Sequence, residues 1–275
     1  MKRVLVIPKY KLHQRNFIEY ECGIDYDKSI TIEYQEEFKE IIEEIKTFDE
    51  AYFVDFCDEY RKILPMIPFK TKCYSILTNE IGEFTNPVVL NIFNASIEFY
   101  DRLIFKEILT ISYELATVLK NSGYQAEKLN YTIDDKIEKN KAGKEKVVGI
   151  ICDDYNPNNN FYNILTALCM TKAKKIKLVS HMAATLEFIE RFELPVEFCE
   201  DIFDVINNST INILVNFTAN KVELLRQSLK MNIPCLIGNF DSDFISKYNK
   251  ELVINSDDDV NEIAEKINKC LEGKK

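Results

Sequence analysis

The stretch Ile211–Asn239, INILVNFTANKVELLRQSLKMNIPCLIGN, decides the fold class of this chain. It begins with an apolar, β-branched run, Ile211–Phe217, which is typical of a strand buried on both faces. After a polar turn, apolar residues recur at nearly helical spacing over Val222–Met231, and Ile233–Gly238 predicts a second strand. Strand, turn, helix and strand form one βαβ unit of a parallel sheet. Such sheets bind ligands where strands end and helices begin.

Strand and helix patterns alternate along the rest of the chain in the same way. Arg3–Pro8 predicts the first strand, and Ala51–Phe56 predicts a later strand of the same half. The last predicted helix is Asp258–Leu271, with Ser256 or Asp257 as its capping residue. No G-x-G-x-x-G motif follows the first strand, so the sequence disfavours a dinucleotide-binding function.

A charged run divides the two halves of the chain. Asp134–Lys146, DDKIEKNKAGKEK, has no apolar periodicity and is typical of a linker, although a long surface loop within one domain is the alternative. We therefore predict an α/β protein with an amino-terminal Rossmann-like domain (1–135), a linker (136–146) and a carboxyl-terminal Rossmann-like domain (147–275). Two such domains are expected to face each other across a central cleft.

Composition excludes several classes of function. The formal net charge is -10, and no basic face is evident, so a nucleic-acid partner is disfavoured. Eight cysteines without a C-x-x-C pair and two histidines predict no metal site; scattered thiols indicate a reducing, cytoplasmic location. No run approaches the ~18 apolar residues of a membrane span. The amino terminus has too short an apolar run for a signal peptide, which disfavours a periplasmic small-molecule binder.

Several segments resemble the GT-B-type bacterial glycosyltransferases, a family that uses nucleotide-sugar donors. The segments that carry the resemblance are Glu98–Ile108, Gly123–Tyr124, Asn159–Leu165, Gln227–Cys235 and Asp257–Val260. The resemblance implies a GT-B-like fold and transfer of a sugar from a nucleotide-sugar to a protein or glycan acceptor. The nucleotide-sugar is then a co-substrate, and no further cofactor is expected.

The resemblance also indicates where the donor binds. In that family the donor diphosphate lies at a helix N-terminus, a basic residue neutralises it, and a Glu accepts from the ribose hydroxyls. This chain has Asn159 at the position of the family's basic residue, and Ala219 and Gln227 at the two positions of its E-x7-E pair. The donor-binding residues implied are Asn159, Asn160, Thr218, Asn220, Gln227 and Ser228. As turn and cap residues, they need no ligand in the alternative interpretation.

Two functions remain open from the sequence. The first is an active glycosyltransferase, for which Arg226 is a candidate replacement cation and His13 a candidate general base after the first strand. The second is a catalytically inactive paralogue that serves as a non-catalytic subunit or acceptor-recognition partner of a true glycosyltransferase. The neutral residues Asn159, Ala219 and Gln227 favour the second function, and a homo- or hetero-oligomer is compatible with both. No catalytic residue is assigned.

Overall fold

The chain divides into two compact units, each with its own parallel sheet. The computed structural model describes residues 1–15, 18–19, 22–34, 38–79, 83–84, 86–130, 145–151, 160–179, 182–215, 222–239 and 248–273. Unit 1 is Met1–Ile133 and unit 2 is Asp134–Lys275. The predicted linker, 136–146, lies outside the described residues except for its last two positions.

Unit 1 contains a six-stranded parallel sheet. Its strands are β1 (Arg3–Pro8), β2 (Lys28–Ile32), β3 (Glu50–Val54), β4 (Lys72–Leu77), β5 (Phe105–Thr110) and β6 (Ala126–Lys128). The connecting helices are α1 (Lys39–Ile45), α2 (Tyr60–Ile63), α3 (Pro87–Asp101) and α4 (Tyr113–Asn121). The strand order is β2-β1-β3-β4-β5-β6, so β2 lies on one side of β1 and β3 lies on the other. The carboxyl ends of β1 and β3 therefore form a topological switch point.

The core of unit 1 explains why its elements form where they do. The apolar centre of β1, Val4–Ile7, is completely buried, as expected for a strand covered on both faces. Tyr60 on α2 packs edge-on against Phe53 of β3, and its hydroxyl donates to the Val6 carbonyl at 2.9 Å. Pro87 occupies the first turn of α3, where the lack of an N–H has no cost.

Unit 2 contains the second six-stranded parallel sheet. Its strands are β7 (Val147–Ile150), β8 (Lys175–Leu178), β9 (Val196–Phe198), β10 (Ile211–Leu214), β11 (Cys235–Gly238) and β12 (Val253–Ile254). Its helices are α5 (Phe161–Leu168), α6 (Ala183–Arg191), α7 (Ile202–Asn207), α8 (Val222–Lys230) and α9 (Val260–Glu272). The strand order β12-β11-β10-β7-β8-β9 is the doubly wound Rossmann order, with its switch point between β7 and β10.

Most predicted elements are confirmed, and several of their predicted ends are wrong: β10 ends at Leu214, β11 begins at Cys235 and α9 begins at Val260. The predicted βαβ unit is present as β10, α8 and β11. Strand β3 ends at Val54 rather than Phe56, because Asp55 adopts a φ of +36° that an extended strand cannot contain. The cap of α9 is Asp259 rather than Ser256 or Asp257. Within the described part of the chain, no helix is both long and apolar enough to cross a bilayer.

Candidate functional site

The first candidate site lies at the switch point of unit 2. Strands β7 and β10 pair in parallel, with Ile211 beside Val148 and Ile213 beside Ile150. Beyond the paired residues, the Ile151 N–H still donates to the Ile213 carbonyl at 2.9 Å. The two strands therefore end next to each other at the carboxyl edge of the sheet. This is the position at which doubly wound sheets bind nucleotides.

Side chains from the β10 segment fill the space beside a glycine of β7. Gly149 of β7 lies opposite Asn212 of β10, and an added Cβ would meet Ser209 Oγ at 2.5 Å and Asn212 Oδ1 at a still shorter distance. The Asn212 side chain is completely buried, and its amide donates to the Ile206 carbonyl at 3.2 Å. A side chain at position 149 would have to displace these buried groups, so only glycine fits.

Asn160 is the predicted donor residue at the start of α5, the helix that follows β7. It precedes α5 and has a φ of +51°, a left-handed conformation that asparagine tolerates better than most residues. Its side chain does not cap the helix; instead, its Oδ1 accepts from Asn163 Nδ2 at 2.6 Å. The backbone N–H groups at the start of α5 are therefore not satisfied by Asn160. Uncapped N–H groups of this kind attract anions.

The two predicted residues on α8 have partners within unit 2. Ser228 is completely buried, and its hydroxyl donates to the Ile233 carbonyl at 2.9 Å and accepts from Asn212 Nδ2 at 2.8 Å. Its side chain thus links α8 to the sheet. Gln227 is half-buried, and its Nε2 lies 3.4 Å from Asn207 Oδ1 at the end of α7, a long hydrogen bond that a ligand could replace.

The remaining predicted residues are placed only in part. Asn159, Thr218 and Asn220 lie outside the described residues, as does the side chain of His13. Arg226 lies half-buried on α8, and burial lowers the pKa of its guanidinium.

The second candidate site lies at the switch point of unit 1, and the sequence did not reveal it. A 3-10 helix, Lys9–Gln14, follows β1 and brings the Lys11 ammonium to 2.8 Å from the carboxylate of Asp55, directly after β3. Thr78, directly after β4, donates to Asp55 through its backbone N–H at 2.8 Å and through its hydroxyl. Three strand ends thus contribute to one cluster, which we call the Lys11–Asp55–Thr78 cluster.

The cluster combines two features that do not favour stability. Asp55 is completely buried, and a buried ion pair gains little over a well-packed apolar pair because both charges lose water. Asp55 also has a φ of +36°, and backbone strain of this kind is common at functional sites. The Lys11 side chain is 14% exposed and that of Asp55 is fully buried, so Lys11 is the charged residue of the cluster that solvent reaches.

One sequence signal could have revealed this cluster. Asp55 interrupts the apolar run AYFVDFC, and an acidic residue in a run that is otherwise buried requires a partner. Its partners, however, are far away in sequence: Thr78 lies 23 positions after Asp55, and Lys11 and Thr78 lie 67 positions apart. No local pattern predicts such contacts.

Comparison with known proteins identifies the fold. No protein-family model and no curated protein matches the sequence. A glycosyltransferase from Rickettsia africae ESF-5 matches with a TM-score of 0.64 and 12% identity over 98% of this chain and 88% of that one. Anabaena Alr3699/HepE, solved in complex with UDP and glucose, matches with a TM-score of 0.64 and 10% identity over 99% and 90%. The lipopolysaccharide outer core galactosyltransferase WaaB matches with 0.64 and 9% identity over 98% and 90%.

The fold is that of the GT-B glycosyltransferases. Two Rossmann-like units, as predicted from the sequence, account for this likeness, and each contains a parallel six-stranded sheet. At such low identities the likeness establishes the fold, and the roles of individual residues must be argued from this chain.

Proposed function

We propose that this chain transfers a sugar from a nucleotide-sugar donor to a protein or glycan acceptor, with unit 2 as the donor side. The observation that supports the proposal is the switch point between β7 and β10, because doubly wound sheets bind ligands at the carboxyl ends of the strands there. The nucleotide-sugar is the co-substrate, and the proposal assigns no metal. The free cysteines of the described residues are typical of the cytoplasm, where we place the protein.

The chemistry requires a site for a departing nucleoside diphosphate. Negative charge grows on this leaving group as the glycosidic bond breaks, so donors that are already oriented towards it lower the barrier. We assign this role to the N-terminus of α5, where Asn160 leaves backbone N–H groups available. With Asn159 in place of a basic residue, the missing charge would reduce the rate roughly 10²–10³-fold unless another cation replaces it.

We assign the acceptor side to unit 1, with Lys11 as the group that contacts the acceptor. Asp55 and Thr78 are buried and hold the ammonium, so they are positioning residues rather than catalytic ones. Lys11→Arg retains the charge and should retain part of the transfer rate. Lys11→Met should raise the KM for the acceptor while the affinity for the donor stays the same. The assay is run at a temperature at which circular dichroism shows the variant to be fully folded, so that lost stability of unit 1 does not account for the change in KM.

Nucleotide binding provides the direct test of the donor side. Thermal unfolding should be measured with UDP, GDP, ADP and CMP and with their sugar conjugates. A ligand at about 100 times its Kd stabilises the folded protein by ~2.7 kcal/mol. If none of these compounds raises the Tm, the chain has no donor site and the proposal is refuted.

Gln227 allows a sharper test through a gain of affinity. A hydrogen bond to a charged group contributes ~1.5–3 kcal/mol against ~1 kcal/mol for a neutral pair. If Gln227 contacts a ribose hydroxyl, Gln227→Glu should strengthen nucleotide binding several-fold and Gln227→Ala should weaken it. Gln125→Glu in unit 1 is the matched control, with the same charge change. Equal affinities in all variants would remove Gln227 from the site.

The alternative is a non-catalytic subunit of a glycosyltransferase. It is favoured by the neutral residues Ala219 and Gln227, where the resemblance implies a pair of carboxylates. The structure of a GtfA/B complex also matches this chain, with a TM-score of 0.51 and 8% identity over 85% of this chain and 53% of that one. Under this alternative, the chain binds no nucleotide and releases none from a nucleotide-sugar, yet raises the activity of a separate glycosyltransferase.

A further inference from the structure

Unit 1 has a groove at the amino ends of its strands, whereas the Lys11–Asp55–Thr78 cluster lies at their carboxyl ends. The groove has a volume of about 590 Å³ and lies at the amino ends of β4 and β5. Its floor includes the buried side chains of Leu64, Cys73 and Phe105. The segment 64–72 forms one wall, and the end of α3 with the turn to β5 forms the other. We call this feature the amino-edge groove.

The charge of the groove differs from that of the whole chain. Acidic residues outnumber basic ones by 45 to 35 in the sequence. Yet the described residues that line the groove include the basic residues Lys72, Arg102 and Lys106 and no acidic residue. Glu98 neutralises part of the Arg102 charge, at 2.6 Å. In the described part of the chain, no carboxylate forms an ion pair with Lys72 or Lys106, and Glu107 attracts Lys106 electrostatically. Basic groups therefore outnumber acidic groups among the side chains that line the groove.

Large apolar side chains protrude on both sides of this groove. Phe69 is 88% exposed on one wall and Leu103 is 78% exposed on the other. Leu103 also has a φ of +61°, which is a strained conformation for a bulky residue. This φ follows from the Schellman end of α3, in which the Ile104 N–H donates to the Phe99 carbonyl and the Leu103 N–H to the Tyr100 carbonyl. The exposed leucine is unfavourable in water, so it is better explained by a contact that Leu103 makes with a partner.

We propose that the amino-edge groove docks unit 1 on an anionic lipid surface. Phe69 and Leu103 insert among the acyl chains, and Lys72, Arg102 and Lys106 contact the headgroup phosphates. Apolar side chains flanked by lysines form this kind of contact with membranes, and the attraction of each basic residue falls off within a Debye length. The proposal is independent of sugar transfer, because docking requires no nucleotide-sugar.

A lipid surface fits these observations better than an acidic peptide does. A peptide that binds in a groove places its own apolar side chains into a recessed pocket. Here the most exposed apolar groups belong to the protein and project from two separate walls. Such groups find an apolar environment in the bilayer, whereas a single peptide in the groove would leave their tips in water.

Vesicle flotation tests the proposal with the full chain. The probes are phosphatidylcholine vesicles with and without phosphatidylglycerol, at low and at high salt. We expect binding to the anionic vesicles alone, and its loss at high salt. Phe69→Ser should weaken binding roughly ten-fold, since burying such a side chain contributes ~1.5–3 kcal/mol. Lys72→Glu should weaken it at least about five-fold.

The controls separate docking from folding. Phe203→Ser and Lys174→Glu change exposed residues of unit 2 in the same way and should leave binding unchanged. Leu103→Asn relieves the strained φ, so it should preserve or raise the unfolding free energy while weakening vesicle binding. The proposal is overturned if the chain does not float with anionic vesicles, or if the groove variants bind as well as the controls. It is also overturned if a synthetic acidic amphipathic peptide binds the groove while vesicles do not.

Discussion

Removing the Lys11 ammonium should destabilise unit 1 far more than removing an exposed lysine. Asp55 has no exposed surface, so in Lys11→Met its carboxylate would stay buried without its cation. Removing one partner of a buried ion pair costs about 3–5 kcal/mol. We expect a loss of about 3 kcal/mol, the lower end of this range, because Thr78 still donates to both carboxylate oxygens.

Replacing the acidic partner, Asp55, should destabilise unit 1 less than replacing Lys11 does. In Asp55→Asn the Lys11 side chain, which is 14% exposed, can turn its ammonium towards water. We expect a loss of about 1–2 kcal/mol, mainly from hydrogen bonds between Asp55 and Thr78 that an amide replaces imperfectly. The double variant should lose less than the sum of the two single losses, because the uncompensated carboxylate is then absent.

Urea unfolding followed by circular dichroism and tyrosine fluorescence measures these losses, since the chain has no tryptophan. Lys9→Met is the matched control. Lys9 lies in the same 3-10 helix and pairs with Glu33 at 3.0 Å, but both side chains are more than half exposed, so the loss should be at most about 1 kcal/mol. If Lys11→Met costs no more than Lys9→Met, or if added salt removes its effect, the ion pair is not buried and the reasoning fails.

Three further predictions concern unit 2. Gly149→Ala should lower the unfolding free energy by about 1–3 kcal/mol, because its Cβ overpacks against Asn212. The double variant with Asn212→Ala should lose less stability than the sum of the two single losses. If urea unfolding shows that the two losses simply add, the predicted contact is contradicted. Burial by itself raises the pKa of Asp258, but hydrogen bonds from Lys266 and Asn255 hold it below its usual value. Asp258→Asn should therefore lower the free energy of unfolding of unit 2 above pH 3.8. The difference in stability between the variant and the unchanged protein should vanish as the pH falls through the lowered pKa of Asp258. A stability difference that does not depend on pH would refute this cause. Cys169 is the exposed cysteine of the described residues, so alkylation followed by peptide mapping should modify it before the buried thiols, and faster labelling of Cys73 would be incompatible with this fold.

The regular elements could be predicted because their apolar spacing is a local property. Strand β1 matches its predicted bounds, and β10, α8 and β11 form where the βαβ pattern predicted them. The cap of α9 was mispredicted because several consecutive residues are suitable capping types. Asp259 is the cap because it forms a capping box with Glu262, three residues later. The Asp259 side chain accepts from the Glu262 N–H, and the Glu262 side chain accepts from the Asp259 N–H at 2.8 Å.

The functional site could be predicted only in so far as it follows from the fold. Parallel sheets bind ligands at switch points, so the sequence predicts a donor site in the segments after β7 and β10, which lie largely outside the described residues. The roles of individual side chains depend on contacts between distant residues. Ser228 looked like a turn or cap residue, yet its hydroxyl is fully occupied by Asn212 and Ile233. Asp55 lay inside a predicted strand, and only the structure shows Lys11 beside it.

In a parallel sheet all amino ends of the strands lie on one side and all carboxyl ends on the other. In unit 1 the length of the strands sets the distance between the groove at the amino ends and Lys11 at the carboxyl ends. Six residues of β1 at about 3.3 Å each span about 20 Å. If the amino-edge groove rests on a bilayer, Lys11 stands about this far above the headgroups. An acceptor anchored in the same bilayer then reaches Lys11 only if its reactive end extends that distance. The length of the strands would thus favour acceptors with long glycan chains over acceptors with short ones.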